Sequence, residues 1–333
     1  MTAEHPFAQY VRTLGRGKKA SRALTGEEAY RAMRMVFAEE VEPVQLGAFL
    51  MLTRVKEETP EELSAFVRAA REFIAIPANT PEVDLDWSSY AGKRRHLPWF
   101  ILSALLLAEQ GIRVFMHGMG GRQDGRLYTP EIMATLGIHA CHSLDEAAAQ
   151  LQTRHFAFIT LEQFCPKLRK LIDLRDLLGL RSPAHSMARM LNPLRAPAMM
   201  QGVFHPGYRD IHQQAALLLG QPRIAVFRGE GGEIERNPDR PCLVASVQDG
   251  ALVEEEWPAR FSSGHFKDET LDPQCLLQLW RGEIDDEYAT ASVTGTAAIA
   301  LKLLGKADSR EAAEALATTL WNDRIKSSLD VIR

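Results

Sequence analysis

Residues 97–118 read LPWFILSALLLAEQGIRVFMHG and contain the two local patterns that decide the fold. The first part carries almost no charge and closes at Gly111, which predicts a mostly buried helix. The second part, IRVFMHG at 112–118, is a short apolar run and predicts a buried strand. A buried helix followed directly by a buried strand is typical of a layered α/β domain with a largely parallel sheet.

The same alternation continues downstream. Three further apolar runs predict strands: HFAFITL (155–161), RIAVFRG (223–229) and CLVASVQ (242–248). Helices are predicted from Thr129 to the end of TLG at 137, at 207–220, and from 288 to the end of the chain. We therefore expect an α/β region over residues 81–333 with a mostly parallel central sheet.

Residues 1–77 predict a small all-helical domain. Thr25 to Glu28 and Thr59 to Glu62 each form a capping box, and apolar residues recur at helical spacing behind both. The segment IPANTPEVD (76–84) predicts a linker. The basic segment 165–194 interrupts the strand pattern with helical spacing, and we expect about 166–192 to pack with the N-terminal helices.

Composition excludes several classes of protein. The N-terminus lacks a signal-peptide pattern, and the longest apolar run is too short to span a bilayer. The four cysteines form no CxxC pair, so neither a disulfide framework nor a zinc site is indicated. A reduced cytoplasmic location, with no membrane partner, is the default expectation.

Charge is segregated along the chain although the net charge is only −4. The windows 11–22, 88–126 and 167–189 hold 17 of the 39 Lys and Arg residues but only 4 of the 43 acids. Such segregation favours basic surfaces that bind a phosphate backbone, and the alternative is a set of ordinary solvated cations. The candidate nucleic-acid-binding residues are Arg16, Lys18, Lys19, Arg22, Lys93, Arg94, Arg95, Arg122, Arg126, Lys167, Arg169, Lys170 and Arg175.

Two loops carry candidate chemistry. The glycine-rich turn MHGMGGRQDGR (116–126) follows a predicted strand, so its backbone N–H groups, with His117, could bind an anion. The loop RGEGGEIERN (228–237) places Glu230, Glu233 and Glu235 close enough to share a Mg²⁺ ion. A plain tight turn and an ordinary acidic turn are the alternatives. No serine-hydrolase or zincin motif is present.

Taken together, several segments resemble anthranilate phosphoribosyltransferases, of glycosyl transferase family 3. They are TGEEAYRAM (25–33), VQLGAFLMLTRVKEETPEELSAFVRAAREF (44–73), VFMHG (114–118), LGLRS (178–182), LNPL (191–194), QGVFHPGY (201–208) and GTAAIALKLLGKADSREAAEALA (295–317). The resemblance implies the nucleoside phosphorylase/phosphoribosyltransferase type of fold: a small helical domain, a large α/β domain and an active cleft between them. It also implies a homodimer formed through the small domain.

The chain departs from the motifs of that family at the donor site. The family's GTGGD loop, which binds the diphosphate, corresponds to SSYAGKRRH (88–96), and KHGN corresponds to MHGM (116–119). The metal-binding Asp-Glu pair falls in GEGGEIE, where Glu233 and Glu235 are the weak candidates. Arg181 matches the arginine that contacts anthranilate, and His185 replaces an asparagine. The resemblance thus implies a vestigial pocket made of Ser89, Tyr90, Gly92, His117, Gly118, Arg181 and His185.

One divergent branch of the family, the YbiB-type proteins, is similar in two further places. These are the S-Y-x-G-x-R pattern at 89–94 and GRGKKASR at 15–22. That branch is implicated in nucleic-acid binding. The leading hypothesis is therefore a degenerate homodimer that binds DNA through basic grooves, largely without sequence preference, and requires no cofactor.

The alternative is an active phosphoribosyl or glycosyl transferase with a substrate other than anthranilate. It would need Mg²⁺ and a phosphate or diphosphate anion in the cleft. A pure protein-interaction role is the residual hypothesis.

Overall fold

The computed structural model describes residues 4–17, 19–121, 125–266, 268, 270–327 and 329. The N-terminal part is helical. Its helices are α1 (Ala8–Gly15), α2 (Gly26–Phe37), α3 (Pro43–Lys56) and α4 (Pro60–Arg71). Both predicted capping boxes are confirmed, with Thr25 capping α2 and Thr59 capping α4. Each box satisfies two backbone donors that would otherwise be unpaired at the helix start.

A seven-stranded sheet forms the second layer. Its strands are β1 (Leu85–Ser89), β2 (Val114–Gly118), β3 (Phe156–Thr160), β4 (Ala198–Val203), β5 (Arg223–Arg228), β6 (Cys242–Gln248) and β7 (Ala251–Trp257). The spatial order is β3-β2-β1-β4-β5-β6-β7. The first five strands are parallel, and β6 and β7 are added antiparallel at one edge. The mostly parallel sheet is the one predicted.

Helices connect and cover the strands. They are α5 (Phe100–Glu109), α6 (Thr129–Thr135), α7 (Leu144–Arg154), α8 (Leu161–Phe164), α9 (Pro166–Asp173), α10 (Arg175–Leu178), α11 (Ala184–Arg189), α12 (Gly207–Leu218), α13 (Gln274–Arg281), α14 (Glu287–Leu303) and α15 (Arg310–Asp323). Helix α5 is buried from its first residue to Ala108, as the apolar run predicted. No helix among the described residues is both long and apolar enough to cross a membrane.

Three strands, β1, β4 and β7, were not predicted from the sequence. β1 reads LDWSS and β4 reads AMMQGV, so neither is a run of branched apolar residues, although every residue in both is buried. β7 reads ALVEEEW and exposes Glu254 and Glu256 at the edge of the sheet, whereas Glu255 is half-buried. In the two central strands, burial on both faces is set by the layers packed above and below, which local periodicity does not record.

The chain order of the strands places a crevice between β1 and β4. From this pair the sheet is built outward in opposite directions, which makes their carboxyl ends a topological switch point. The segment 165–194 lies against the N-terminal helices here: Arg71 of α4 donates to the carbonyl oxygens of Leu191 (2.6 Å) and Met190 (3.1 Å). The helical part therefore forms one wall of the crevice, and the carboxyl ends of β1 and β4 form the other.

Candidate functional site

The turn after β1 presents a row of backbone N–H groups at the crevice. We call the N–H groups of residues 91, 92, 94 and 95 the cradle. Glu233 Oε1 accepts hydrogen bonds from the N–H groups of Ala91 (2.5 Å) and Gly92 (2.6 Å), and its Oε2 accepts one from Ser89 Oγ (2.8 Å). The remaining two N–H groups, of Arg94 and Arg95, donate to Glu230 Oε1 at 3.0 and 2.7 Å. The loop at 229–235 thus fills the cradle with the chain's own carboxylates.

Gly92 is needed for this turn. Its φ is +68°, and a Cβ atom there would lie 2.9 Å from the ring of Tyr128 and 3.0 Å from the carbonyl oxygen of Leu127. Arg126 holds the turn from the other side by donating to the carbonyl oxygens of Ala91 (3.0 Å) and Gly92 (2.9 Å). The conformation of the turn is therefore fixed, and its N–H groups converge on an anion although the turn contains a single glycine.

Lys93, one of the candidate nucleic-acid-binding residues, is buried, unlike its neighbours Arg94 and Arg95. Its backbone pairs with Leu127 through two hydrogen bonds of 2.9 and 2.8 Å, and only 1% of the residue is exposed. The ammonium group donates to Glu235 Oε1 and lies 3.7 Å from Glu230 Oε2. Glu235 also accepts a hydrogen bond from the N–H of Phe100 (2.9 Å), the first residue of α5. Lys93 is thus a structural cation, and a phosphate backbone cannot reach it in this conformation.

The same contacts decide whether Glu233 and Glu235 could bind a metal ion together. Glu233 is directed at the cradle and Glu235 at Lys93, so their oxygens face N–H and ammonium donors instead of a shared space. Burial raises the pKa of Glu235, and the Lys93 charge opposes that rise. No group of three or more His, Cys, Asp or Glu side chains suited to a metal ion occurs in the described part of the chain. The residues as arranged do not fit Mg²⁺, and a shared ion stays a prediction from the sequence.

His117 is fully buried, and both of its ring nitrogens face other side chains of this chain. Its Nδ1 lies 2.6 Å from the hydroxyl of Tyr90, and its Nε2 lies 3.3 Å from Oδ2 of Asp86. Burial and the neighbouring Asp86 charge raise the pKa of Tyr90 well above its usual value. Gly118 is required because a Cβ atom there would lie 2.2 Å from the carbonyl oxygen of Ser89. This group locks β1 to β2 beneath the cradle.

The other predicted basic residues fall into three sets. Two of them, Lys18 and Arg122, lie outside the described residues. A second set is engaged in internal contacts, with Arg22 paired to Glu28, Arg169 to Asp173, Lys170 to Glu39, Lys167 to the carbonyl of Phe37, and Arg126 to the turn described above. The third set forms no ion pair with any described residue: Arg16, Lys19, Arg94, Arg95 and Arg175. Among the candidates that the structure describes, this last set is available to an external anion without breaking an ion pair.

A cavity of about 140 Å³ lies between the helical wall and the end of β4, beside Gly231 of the 229–235 loop. Arg181 and His185, both expected in the vestigial pocket, line it. They also border a larger cavity of about 620 Å³ that includes Tyr90, Tyr128 and Arg175. Sequence reasoning missed three charged residues of the smaller cavity, Arg54, Glu58 and Arg189. The one available signal was Arg189, a cation in the apolar run SMARML.

Relatives can now be compared with this geometry. A family model described as "Glycosyl transferase family, helical bundle domain" matches residues 8–74. Anthranilate phosphoribosyltransferase of Ralstonia pickettii (strain 12J) is 26% identical over 239 residues, covering 71% of this chain and 69% of the enzyme. An uncharacterised protein of Aquifex aeolicus (strain VF5) is 30% identical over 226 residues, covering 66% of this chain and 67% of the relative. The chain belongs to the anthranilate phosphoribosyltransferase-like family.

Three further comparisons relate this chain to members of the family. The uncharacterised protein YbiB of Escherichia coli (strain K12) is 28% identical over 239 residues, covering 70% of this chain and 74% of YbiB. The crystal structure of the enzyme TrpD of Thermus thermophilus superposes with a TM-score of 0.80 at 23% identity, covering 99% and 97% of the two chains. The Saccharomyces cerevisiae enzyme, in complex with PRPP and Mg, shares the fold with a TM-score of 0.77 at 14% identity, covering 99% and 96%. The family member therefore keeps the whole fold, while its cradle holds carboxylates.

Proposed function

We propose that this chain is a homodimeric family member that binds nucleic acid, largely without sequence preference, and does not transfer phosphoribosyl groups. One observation carries the proposal. Glu233 and Glu230 fill the cradle from inside, while Arg94 and Arg95 are exposed at its rim. Cations at the rim of a filled cradle can act only on an anion outside it. A nucleic-acid backbone presents such anions in a row.

The filled cradle argues against transfer of a phosphoribosyl group. Departure of a diphosphate needs preorganised donors and a metal ion to neutralise the developing charge. Here the N–H donors are already bonded to carboxylates, and Glu233 places a negative charge where a diphosphate would lie. PRPP and Mg²⁺ are therefore ligands of the yeast relative that we do not assign to this chain.

Further unpaired cations flank the helical part. Arg16 and Lys19 follow α1, which packs on α3, and Arg175 begins α10. Leu178 of α10 approaches Gly47 of α3, which brings these cations to the periphery of the same helix. Two copies related by a twofold axis would double the number of such cations along one bound strand.

Helix α3 supplies the surface for a second copy of this chain. Val44, Ala48, Met51 and Val55 recur at positions i, i+4, i+7 and i+11, so they share one face of the helix. Val44 and Val55 are 80% and 79% exposed, and nearby Leu177 is 85% exposed. An apolar face of this kind excludes a polyanion as its occupant and favours an identical apolar face. The family resemblance also implies a dimer through this part of the chain.

The dimer is tested by introducing charge on that face. We expect the native chain to sediment as a dimer at micromolar concentration and the V44D/L177D variant to sediment as a monomer, because two carboxylates would be buried without partners. The control Leu218→Asp changes a leucine of α12 that is 55% exposed, and this variant should remain dimeric. Sedimentation velocity measures all three. A monomeric native chain at tens of micromolar would exclude the dimer.

Nucleic-acid binding is tested by removing the two rim cations. The R94Q/R95Q variant should bind a fluorescent DNA oligonucleotide at least tenfold more weakly at low salt. Its plot of log affinity against log salt should be shallower by about 1 for each phosphate that the variant no longer neutralises. Fluorescence anisotropy at several salt concentrations, with single- and double-stranded DNA, supplies both values.

A matched control separates these two positions from net charge. The R31Q/R34Q variant removes the same charge from two arginines of α2 that are already paired with acids, and it should bind as the native chain does. Absence of binding by the native chain at low salt, or equal weakening by the control, would overturn the proposal.

A further inference from the structure

Phe266 is 94% exposed, more than any other large apolar side chain in the described part of the chain. It lies between β7 and α13, at the end of the stretch FSSGHF (261–266). Burial of a phenylalanine ring normally stabilises a fold, and this ring is left in water instead. The residues at 262–264 are two serines and a glycine, so the ring is a single apolar group in a polar stretch.

The residue before Phe266 is held in place by an aspartate. Asp239 Oδ2 accepts a hydrogen bond from the N–H of His265 (2.8 Å), and Asp239 Oδ1 lies 2.7 Å from Nδ1 of the same histidine. The His265 ring also packs on the rings of Phe261 and Tyr288, with centroid separations of 4.7 and 5.3 Å. These contacts fix the backbone from which the Phe266 ring projects.

Asp268, two residues after Phe266, joins this segment to the rim of the cradle. Its N–H donates to the carbonyl oxygen of Arg95 (2.8 Å). Its Oδ2 accepts a hydrogen bond from the N–H of Leu97 (2.9 Å), and its Oδ1 lies 2.9 Å from Nδ1 of His96. Two residues of chain span at most about 7 Å, so the backbone of Phe266 lies close to the exposed Arg95.

Two further exposed arginines lie beside the other anchor of this segment. Arg240 directly follows Asp239, and the N–H of Arg260 donates to the carbonyl oxygen of Pro238 (2.7 Å). Both side chains are exposed, and neither forms an ion pair with a described residue. Together with the two rim cations, they provide unpaired positive charge near each of the two anchors of Phe266.

We propose that the Phe266 ring stacks on an unpaired base of a bound single strand, while the surrounding arginines bind the phosphates of that strand. This assignment rests on the proposed nucleic-acid binding and adds to it a contact with a base. Proteins that bind single strands without sequence preference combine cations with exposed aromatic rings, because every base has a π-face. The bases of a duplex present only their edges in the grooves, so the ring reaches the face of a base only where the strand is unpaired. Because the anchors already fix the segment, binding loses little conformational entropy there.

Fluorescence anisotropy on the full chain tests the assignment with a single-stranded DNA oligonucleotide and with the duplex of the same sequence. Phe266→Ala should weaken binding of the single strand about tenfold and binding of the duplex by no more than about twofold. The slope of log affinity against log salt should not change, since no charge is removed. Because the ring is almost fully exposed, the variant is expected to fold as the native chain does.

Three further variants separate the aromatic face from apolar area. Phe266→Trp keeps an aromatic ring and should bind the single strand at least as tightly as the native chain. Phe266→Leu keeps an apolar side chain without a π-face and should resemble Phe266→Ala. The control Leu218→Ala shortens a leucine of α12 that is 55% exposed, and it should bind both probes as the native chain does.

An abasic strand of the same length identifies the base as the group that the ring contacts. The native chain should bind this strand about tenfold more weakly than the ordinary single strand, and Phe266→Ala should lose much less, because the ring and the base belong to one contact. Binding of the single strand that is unchanged in Phe266→Ala would overturn this assignment alone and leave the ring to another partner, such as a protein surface. Equal weakening of single strand and duplex would place the ring on the backbone and overturn it as well. Absence of binding of every probe by the native chain at low salt would overturn the proposed function, and the stacking assignment with it.

Discussion

Replacement of Lys93 by methionine is expected to lower the free energy of unfolding by about 3–5 kcal/mol. Lys93 is 1% exposed, and its ammonium group is the only cation that reaches Glu235 within the described residues. Methionine fills similar space but leaves a buried carboxylate without a counter-ion. Because domains are stable by only about 5–15 kcal/mol, a loss of this size is easily measured by urea unfolding.

A matched set of variants separates burial from charge at this position. Arg94→Met removes the neighbouring cation from an exposed site and should change stability by no more than about 0.5 kcal/mol. The double variant K93M/E235M should recover much of the loss, since no buried charge remains. Its shortfall, about 1–3 kcal/mol, would reflect the N–H of Phe100 left without an acceptor. A destabilisation of the single variant no larger than that of Arg94→Met would contradict the buried pair.

The stability of the Lys93→Met variant should also depend on pH in a distinct way. Burial raises the pKa of Glu235 in the folded chain, and removal of Lys93 takes away the charge that opposes this rise. A carboxyl group whose folded pKa is raised favours the folded state at low pH, and that contribution is lost as pH rises through the folded pKa. The deficit of Lys93→Met relative to the native chain should therefore grow as pH increases above about 4.3, the usual pKa of glutamate.

Replacement of Glu233 by alanine is expected to cost about 2–4 kcal/mol and to open the cradle to an external anion. Its carboxylate accepts hydrogen bonds from Ala91, Gly92 and Ser89, all buried, and each donor would lose a charged acceptor. Added diphosphate should then stabilise the variant by more than it stabilises the native chain, by about 2.7 kcal/mol when its concentration is about one hundred times its dissociation constant. Thermal and urea unfolding with and without millimolar diphosphate measure both effects.

The comparison between variant and native chain isolates the cradle. The two proteins differ only at Glu233, so the difference between their responses to diphosphate reports the effect of removing that carboxylate. Glu256→Ala, an exposed acid on β7, is the control and should behave as the native chain does. Equal stabilisation of the variant and the native chain by diphosphate would show that Glu233 does not occupy an anion site.

Sequence patterns predicted the parts of the fold that depend on neighbours along the chain. The capping boxes at Thr25 and Thr59 and the apolar run of α5 were predicted correctly, because each is decided within one or two helical turns. Strand β1 was missed, since LDWSS becomes a central strand only through burial between β2 and β4. The order of family-like segments indicated the fold class even where single strands were missed.

The candidate site was predicted by residue type but not by role. The sequence by itself determined that cations cluster at 93–95, that acids cluster at 230–235, and that the stretch resembling the family's diphosphate loop contains one glycine, Gly92. Only the tertiary structure decided that Lys93 faces Glu235, 142 residues away, and that Arg94 and Arg95 remain outside. The physical reason is that burial and pairing are properties of contacts between distant segments. A buried lysine and an exposed lysine are the same residue in the sequence, although their energetic roles differ.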